Sequence, residues 1–171
     1  MSNVLCTSAN ISLRRFAPNH APFILDLLNS HTWQQFIGDR NINTHTDAAN
    51  YIINVLMPIY AQYNFGPWLV ELNHTQEPIG LCGLFKRDYL DRPDLGFAFL
   101  PGFEGRGLAY EACRAALAYM NTHYPLDKLY ATTTDANLRS QRLLERCGFT
   151  ITGSVTPPDC EALLLYTLNL Q

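Results

Sequence analysis

The sequence predicts an α/β fold, of the α+β kind, in which a mixed sheet carries helices on its faces. Short β-rich runs and segments with helical spacing follow one another in the order β-α-α-β-β-β-α-β-α-β-β. Apolar residues make up 47% of the 171 residues and charged residues only 16%, as in a well-buried globular protein. We expect one domain over residues 1–171, because neither a linker nor an internal repeat is visible.

The first third of the chain predicts a short strand followed by helices. Residues 11–16 alternate as a strand does, and Pro18 suits a helix start whose apolar spacing continues to Asn29. The next polar residues, 31–46, predict a loop or a broken helix. Thr46 or Asp47 is expected to cap the helix that follows, and Pro58 is expected to kink or interrupt that helix.

The remaining chain changes to strand-like periods, with two further helices. A hairpin of two strands is predicted over residues 66–72 and 78–85. A strand over residues 126–135 and a helix over residues 136–147 follow later in the chain, and two strands over residues 149–156 and 162–170 close it. Gly148 lies where a helix commonly ends on a glycine.

Residues 94–124 form the stretch around which the rest is organised. They contain an apolar run, a glycine-rich turn over residues 102–107, and a helix that begins at once. Free N–H groups at a helix start, the helix dipole and glycines that permit close approach together favour an anion-binding site. A turn that binds nothing remains the alternative. The helix has a stripe of mostly small residues, which suits close packing on a sheet: Ala109, Ala112, Cys113, Ala116, Leu117 and Met120.

Two familiar phosphate loops do not fit this turn. Gly107 is followed by Leu108 and Ala109, where a P-loop requires lysine and then serine or threonine. Tyr110 stands where the third glycine of a dinucleotide-binding turn belongs, and the turn comes late in the chain.

Composition also excludes several classes of protein. The net charge of −3 disfavours a nucleic-acid partner. The scattered cysteines form no CxxC pair, which suits the cytoplasm, and the histidines lack metal-ligand spacing, so we expect no metal. We expect no membrane partner, because no apolar run approaches a membrane-spanning length.

Two runs resemble motifs of one family. F-x-G-R-G-L-A-Y-E-A, after D-L-G-F-A-F-L-P, resembles the acyl-CoA loop of the GNAT superfamily of acyl-CoA N-acyltransferases. N-L-R-S-Q-R-L-L-E-R-C-G-F resembles that family's N-x-x-S-x-x-L-x-E-K-x-G-F. The runs I-G-D-R-N-I and I-G-L-C-G-L-F-K-R-D resemble the branch that includes ribosomal-protein N-terminal acetyltransferases. The resemblance, over residues 36–149, implies the GNAT fold: a mostly antiparallel sheet of six to seven strands flanked by about four helices.

The resemblance also implies a cofactor site for acetyl-CoA. The family motif Q/R-x-x-G-x-G/A falls on Glu104, Gly107 and Ala109, and Glu104, an acid where the motif has glutamine or arginine, is expected to face solvent. Strand backbone near Phe99 and Leu100 is expected to bind the pantetheine arm and to polarise the thioester carbonyl. The implied cofactor contacts are Phe99, Leu100, Glu104, Gly105, Arg106, Gly107, Leu108, Ala109, Asn137 and Ser140.

The implied reaction is direct attack of a primary amine on the thioester, in a ternary complex. Asp94 is a candidate base, with a solvated strand-end charge as the alternative, and Ser140 is a candidate proton donor to the thiolate. The alternative role of Ser140 is structural, as the residue capped by Asn137. Leu144 occupies the position where many members carry a catalytic tyrosine. Cys147 is expected in the core rather than as a nucleophile.

The resemblance implies a protein N-terminus or a small amine as the acceptor, and we expect a monomer or a homodimer. A set of aromatic residues is either an acceptor pocket or core: Trp33, Phe36, Tyr60, Tyr63 and Trp68. Acceptor specificity is expected around residues 33–40 and in the turn near Pro157. The rival function is a catalytically weak acyl-CoA-binding sensor or interaction module.

Overall fold

The computed structural model describes residues 3–170, and its strands form one eight-stranded sheet. In chain order the strands are β1 Val4–Thr7, β2 Ile11–Arg15, β3 Pro67–Leu72, β4 Pro78–Phe85, β5 Asp94–Phe99, β6 Lys128–Thr133, β7 Thr150–Val155 and β8 Leu163–Asn169. The helices are α1 Ala21–Leu28, α2 His31–Phe36, α3 His45–Tyr51, α4 Met57–Tyr63, α5 Leu108–His123 and α6 Leu138–Arg146. The sheet order is β1-β2-β3-β4-β5-β6-β8-β7, and only β5 and β6 run parallel. The predicted mixed sheet with helices is therefore confirmed.

The prediction missed strand β1. It is a four-residue edge strand that pairs with β2 and shows no alternation of exposed and buried residues. Its stability comes from that pairing and from a hydrogen bond between the hydroxyls of Thr7 and Ser12, 3.0 Å apart, which the local sequence does not reveal.

The helix α3 begins earlier than predicted. Thr44, and neither Thr46 nor Asp47, is the N-cap, and its hydroxyl accepts the Asp47 N–H at 3.0 Å. Asp47 accepts the Thr44 N–H in return at 3.0 Å, which completes a capping box. Pro58 does not stop the chain of helices, because a π-helical turn over Ile52–Leu56 leads into α4 and leaves the proline in its first turn, where no donor is needed.

Helix α5 packs closely on the sheet, as its small residues predicted. Ala112, Cys113 and Ala116 are fully buried, and the sulfur of Cys113 lies 3.8 Å from that of Cys82 on β4. This packing holds the start of α5 just beyond the end of β5.

The two parallel strands share only a short pairing. Asp94 is in register with Tyr130, whose N–H donates to the carbonyl of Pro93 at 3.0 Å. Beyond that point no ladder pair joins β5 to β6 in the described chain, so a gap opens between them toward Phe99.

Candidate active site

The backbone of β5 lines the gap with hydrogen-bonding groups. Leu100 donates its N–H to the carbonyl of Ile79 at 2.9 Å, on the β4 side. Since backbone groups alternate sides along an antiparallel strand, those of Phe97 and Phe99 point toward β6 and into the gap. The carbonyl of Leu100 accepts the Phe103 N–H at 3.0 Å, so both backbone groups of Leu100 are already used. Both backbone groups of Leu100 are thus occupied within the protein, whereas those of Phe99 face the gap.

The glycine turn presents unpaired donors at the start of a 16-residue helix. Gly105 and Gly107 have left-handed φ angles of 72° and 78°. The first backbone bond of α5 runs from the Glu111 N–H to the Gly107 carbonyl at 3.1 Å, and N–H groups of residues 105–110 donate to no acceptor within residues 3–170. A Cβ added at Gly105 or Gly107 would meet no atom within 4 Å. The donors therefore border open space, and the arrangement suits a phosphate.

Glu104 does not face solvent freely, contrary to expectation. Its carboxylate accepts a hydrogen bond from Arg139 Nη1 at 2.6 Å, and its side chain is 23% exposed while that of Arg139 is 69% exposed. The ion pair spans from the glycine turn to the first turn of α6, and the guanidinium offsets the acidic charge beside the turn. Both residues line a cavity of about 360 Å³ together with Thr32, Phe36, Ala136, Asn137 and Leu138.

The start of α6 forms the other wall of this cavity. Asn137 caps the helix by accepting the Ser140 N–H at 3.2 Å, so the two residues have the structural role that was given as the alternative to a cofactor contact. The Ser140 hydroxyl is half-buried and forms no hydrogen bond in the described part of the chain. Thr134 follows β6 at the open end of the gap, and its buried hydroxyl has no partner among residues 3–170. Leu144 is buried in the core, so this helix offers no tyrosine hydroxyl.

Asp94 is a buried charge rather than a solvated one. Its side chain is 3% exposed, and its carboxylate oxygen lies 3.3 Å from Arg87 Nε. Burial raises the pKa of Asp94, and the Arg87 guanidinium acts against this rise. The guanidinium of Arg87 also lies over the ring of Phe85, 4.5 Å from its centroid. Sequence reasoning missed Arg87 because it treated residues 86–93 as a charged connector.

The remaining candidates lie in structural positions. Trp33, Tyr60 and Trp68 are buried in the core, whereas Phe36 lines the cavity. Cys147 is buried as expected, and its hydrogen bond with Cys113 and its burial raise its pKa, which disfavours a thiolate nucleophile.

No helix within residues 3–170 combines the length and apolarity needed to cross a membrane. Over the same residues, no group of three or more His, Cys, Asp or Glu side chains is suited to a metal ion.

Comparison with known proteins connects this site to one family. The family described as acetyltransferase (GNAT) domain matches residues 10–150. In sequence, an uncharacterised protein, YkkB of Bacillus subtilis (strain 168), is 30% identical over 88 residues, which are 50% of this chain. The chain spans about half the length, 51%, of that curated relative.

Solved structures share the fold over nearly the whole chain. An acetyltransferase from Agrobacterium tumefaciens str. C58 matches with a TM-score of 0.82 and 22% identity, covering 99% of this chain and 95% of that one. RimL, a ribosomal L7/L12 α-N-protein acetyltransferase in complex with coenzyme A, matches with a TM-score of 0.84 and 15% identity, covering 98% of each chain. The aminoglycoside acetyltransferase AAC(6')-Ib in complex with coenzyme A matches with a TM-score of 0.76 and 22% identity, covering 93% of this chain and 94% of that one. At these identities the likeness shows the fold alone, and it confirms the expected GNAT fold, with eight strands instead of six to seven.

Proposed function

The chain belongs to the GNAT acetyltransferase family, and on that premise we propose that it transfers an acetyl group from acetyl-CoA to a primary amine, either a small amine or a protein N-terminus. The observation that carries the proposal is the row of unpaired N–H groups over residues 105–110, which lies beside the gap between β5 and β6. A phosphate group fits the first feature and an extended arm with amide groups fits the second.

In this arrangement the pyrophosphate of acetyl-CoA lies against the backbone N–H groups of residues 105–110. The pantetheine arm enters the gap, where the inward backbone groups of Phe97 and Phe99 pair with its amides or with the thioester carbonyl. A donor fixed toward the oxygen on which negative charge develops stabilises the tetrahedral intermediate. Asn137 and Ser140 approach the arm from the start of α6.

The reaction is a direct transfer. The neutral amine nitrogen attacks the thioester carbonyl carbon, an amide bond forms, and the carbon–sulfur bond breaks with its electron pair going to sulfur. The hydroxyl of Ser140, which has no partner within residues 3–170, donates its proton to the leaving thiolate and takes a proton from solvent water in the same step. Asp94 takes the proton of the amine through one water, because its carboxylate is buried, and burial raises its pKa toward that of a useful base.

The rival function is an acyl-CoA-binding sensor with little turnover. It is favoured by Leu144, which leaves α6 without the tyrosine acid of many relatives, and by the acidic Glu104 beside the proposed phosphate site.

Two measurements on one preparation separate these functions. Acetyl-CoA should raise the melting temperature, because a ligand that binds only the folded state stabilises it. Coenzyme A release would then be followed with a panel of small amines and N-terminal peptides. No shift at millimolar acetyl-CoA contradicts cofactor binding, whereas binding without release on any acceptor supports the sensor.

A further inference from the structure

We infer that Arg87 is the centre of a receptor for a carboxylate on the acceptor, so that the substrate class is a primary amine that carries a carboxylate group. This inference rests on the proposed acetyl transfer for its functional meaning and goes beyond it by assigning the acceptor chemistry.

The guanidinium of Arg87 is fixed on two sides and open on the third. Its Nε is bound to the buried Asp94 carboxylate at 3.3 Å, and its plane lies over Phe85 at 4.5 Å. Arginine has five N–H donors, and the Nη1 and Nη2 groups of Arg87 form no hydrogen bond or ion pair within residues 3–170. The side chain is 36% exposed. An arginine whose Nε is already hydrogen-bonded and whose Nη1 and Nη2 groups, here called the fork, are unpaired can bind a carboxylate through two parallel hydrogen bonds.

A second cation lies in the same neighbourhood. Arg40, in the segment between α2 and α3, is exposed and forms no ion pair or hydrogen bond within the described residues. Burial raises the pKa of both Tyr51 and Tyr89, and the charges of Arg40 and Arg87 both act against it. The two arginines therefore act on the same pair of phenols.

The other charged groups on these segments are hydrogen-bonded, ion-paired or exposed. Lys86 donates its ammonium protons to the carbonyls of Arg87 and Leu90 at 3.0 and 2.6 Å, and its charge acts on Asp94. Of the other acids on these segments, Asp88 is exposed and Asp39 accepts the Asn41 N–H at 2.8 Å. The Asp94 carboxylate is buried beneath the guanidinium, so the carboxylate of an acceptor meets the terminal N–H groups of Arg87, and Asp94 is reached only through water.

The receptor lies at the closed end of the gap between β5 and β6. Asp94 is in register with Tyr130 at the point where β5 and β6 begin to separate, so the anchor of Arg87 marks the closed end of the gap. Phe97, whose backbone is proposed to bind the arm or the thioester, follows Asp94 by three residues on β5, so the anchor of Arg87 and the proposed thioester position share one strand. An amine tethered to a carboxylate would be held there with its nitrogen toward the gap.

The test compares acceptors that differ only in one anionic group. The pairs are 4-aminobutyrate with 4-aminobutanamide, and Ala-Asp-Ala amide with Ala-Asn-Ala amide. The preference is the ratio of kcat/KM within each pair, measured by coenzyme A release. Binding of each probe to the complex of protein and coenzyme A is measured in parallel by calorimetry, so that the receptor is tested even without turnover.

The variants are Arg87→Lys, which keeps the charge beside Asp94 but lacks the fork, and Arg40→Gln, which removes an unpaired exposed cation. Arg114→Gln on the exposed face of α5 is the matched control for loss of one charge. We expect the wild type to prefer the carboxylate probe by about ten- to one-hundred-fold. Arg87→Lys should lose most of this preference, which is a ratio within each pair and therefore does not depend on a change in overall turnover. Arg40→Gln should lose part of it, and Arg114→Gln none.

Each contrary outcome has its own meaning. Turnover of the amide probes equal to that of the carboxylate probes, or an unchanged preference in Arg87→Lys, would overturn the receptor and leave the transfer reaction intact. Carboxylate-dependent binding without turnover would support the receptor and contradict the proposed function. A stronger preference for O-phosphoethanolamine over ethanolamine than for either carboxylate pair would overturn the assignment of a carboxylate in favour of a phosphate.

Discussion

Replacement of Gly107 by alanine separates the two roles of the glycine turn, its backbone geometry and its proposed contact with acetyl-CoA. The residue has a φ of 78°, which alanine adopts only at a cost of about 1–2 kcal/mol. For a chain of this size the melting temperature should fall by about 2–8 °C. Gly102→Ala is the matched control, because its added Cβ also meets no atom within 4 Å but its φ is not left-handed.

The effect on acetyl-CoA should exceed this loss of stability. The methyl group that Gly107→Ala adds would project into the space where the phosphate is proposed to bind, and it would displace the charge-assisted hydrogen bonds of neighbouring N–H groups. Loss of one such bond corresponds to about tenfold weaker binding. Calorimetric titration of acetyl-CoA into both variants, at a temperature where each is folded, measures this directly.

Two results would refute the reasoning in different places. An unchanged melting temperature in Gly107→Ala would show that the left-handed backbone is not required. A lowered melting temperature with wild-type affinity for acetyl-CoA would place the phosphate site elsewhere.

Three further substitutions test the neighbouring residues. Ser140→Ala should lower kcat by about one hundredfold if its hydroxyl is the proton donor, and an unchanged kcat removes it from that role. Glu104→Gln should tighten acetyl-CoA binding by about fivefold in a titration, since about 1 kcal/mol of repulsion at close range disappears. Stability should change little, because the partner Arg139 is largely exposed and solvent screens the ion pair. Weaker binding would mean that the pair orders the site. For Asp94, whose pKa is raised by burial, the basic form is lost as pH falls through a value above the ordinary 3.8. The kcat/KM profile should therefore decline on the acid side in the wild type, and Asp94→Asn should have a lower plateau without that decline, whereas an identical decline in the variant excludes Asp94 as the base.

The parts of the fold that depend on local pattern were predictable from the sequence. The strand at residues 78–85, the small-residue stripe of α5 and the end of α6 at Gly148 follow from spacing and from glycine chemistry, and all three are confirmed. The cap at Thr44 was missed because Thr44 and Thr46 are both threonines and are therefore equally suited to cap a helix. Only the reciprocal hydrogen bonds between Thr44 and Asp47 distinguish them. The break between α3 and α4 agrees with the interruption predicted from Pro58, whereas its form, a π-helical turn, has no separate signal in the sequence.

The site was predictable where it is made of backbone and hidden where it is made of long-range pairs. The glycine turn is contiguous, so its motif was visible. The contact between Glu104 and Arg139 joins residues 35 positions apart, and no local pattern reports it. For Asp94, which follows a proline at a strand end, the sequence left a base and a solvated charge as alternatives, and the connector folds back and lays Arg87 over it. Burial of a charge depends on what covers it, and that is a property of the tertiary structure.

The central claim is that acetyl-CoA lies across the unpaired N–H groups of residues 105–110 and enters the gap beside β5. Amide hydrogen exchange measured by NMR, with and without acetyl-CoA, tests it most directly, because these amides have no acceptor in the described structure and should exchange fast in the free protein. Bound acetyl-CoA is predicted to slow exchange at residues 105–110 and at Phe97 and Phe99. Binding of acetyl-CoA with no added protection at these amides, or with protection confined to another part of the chain, would contradict the account.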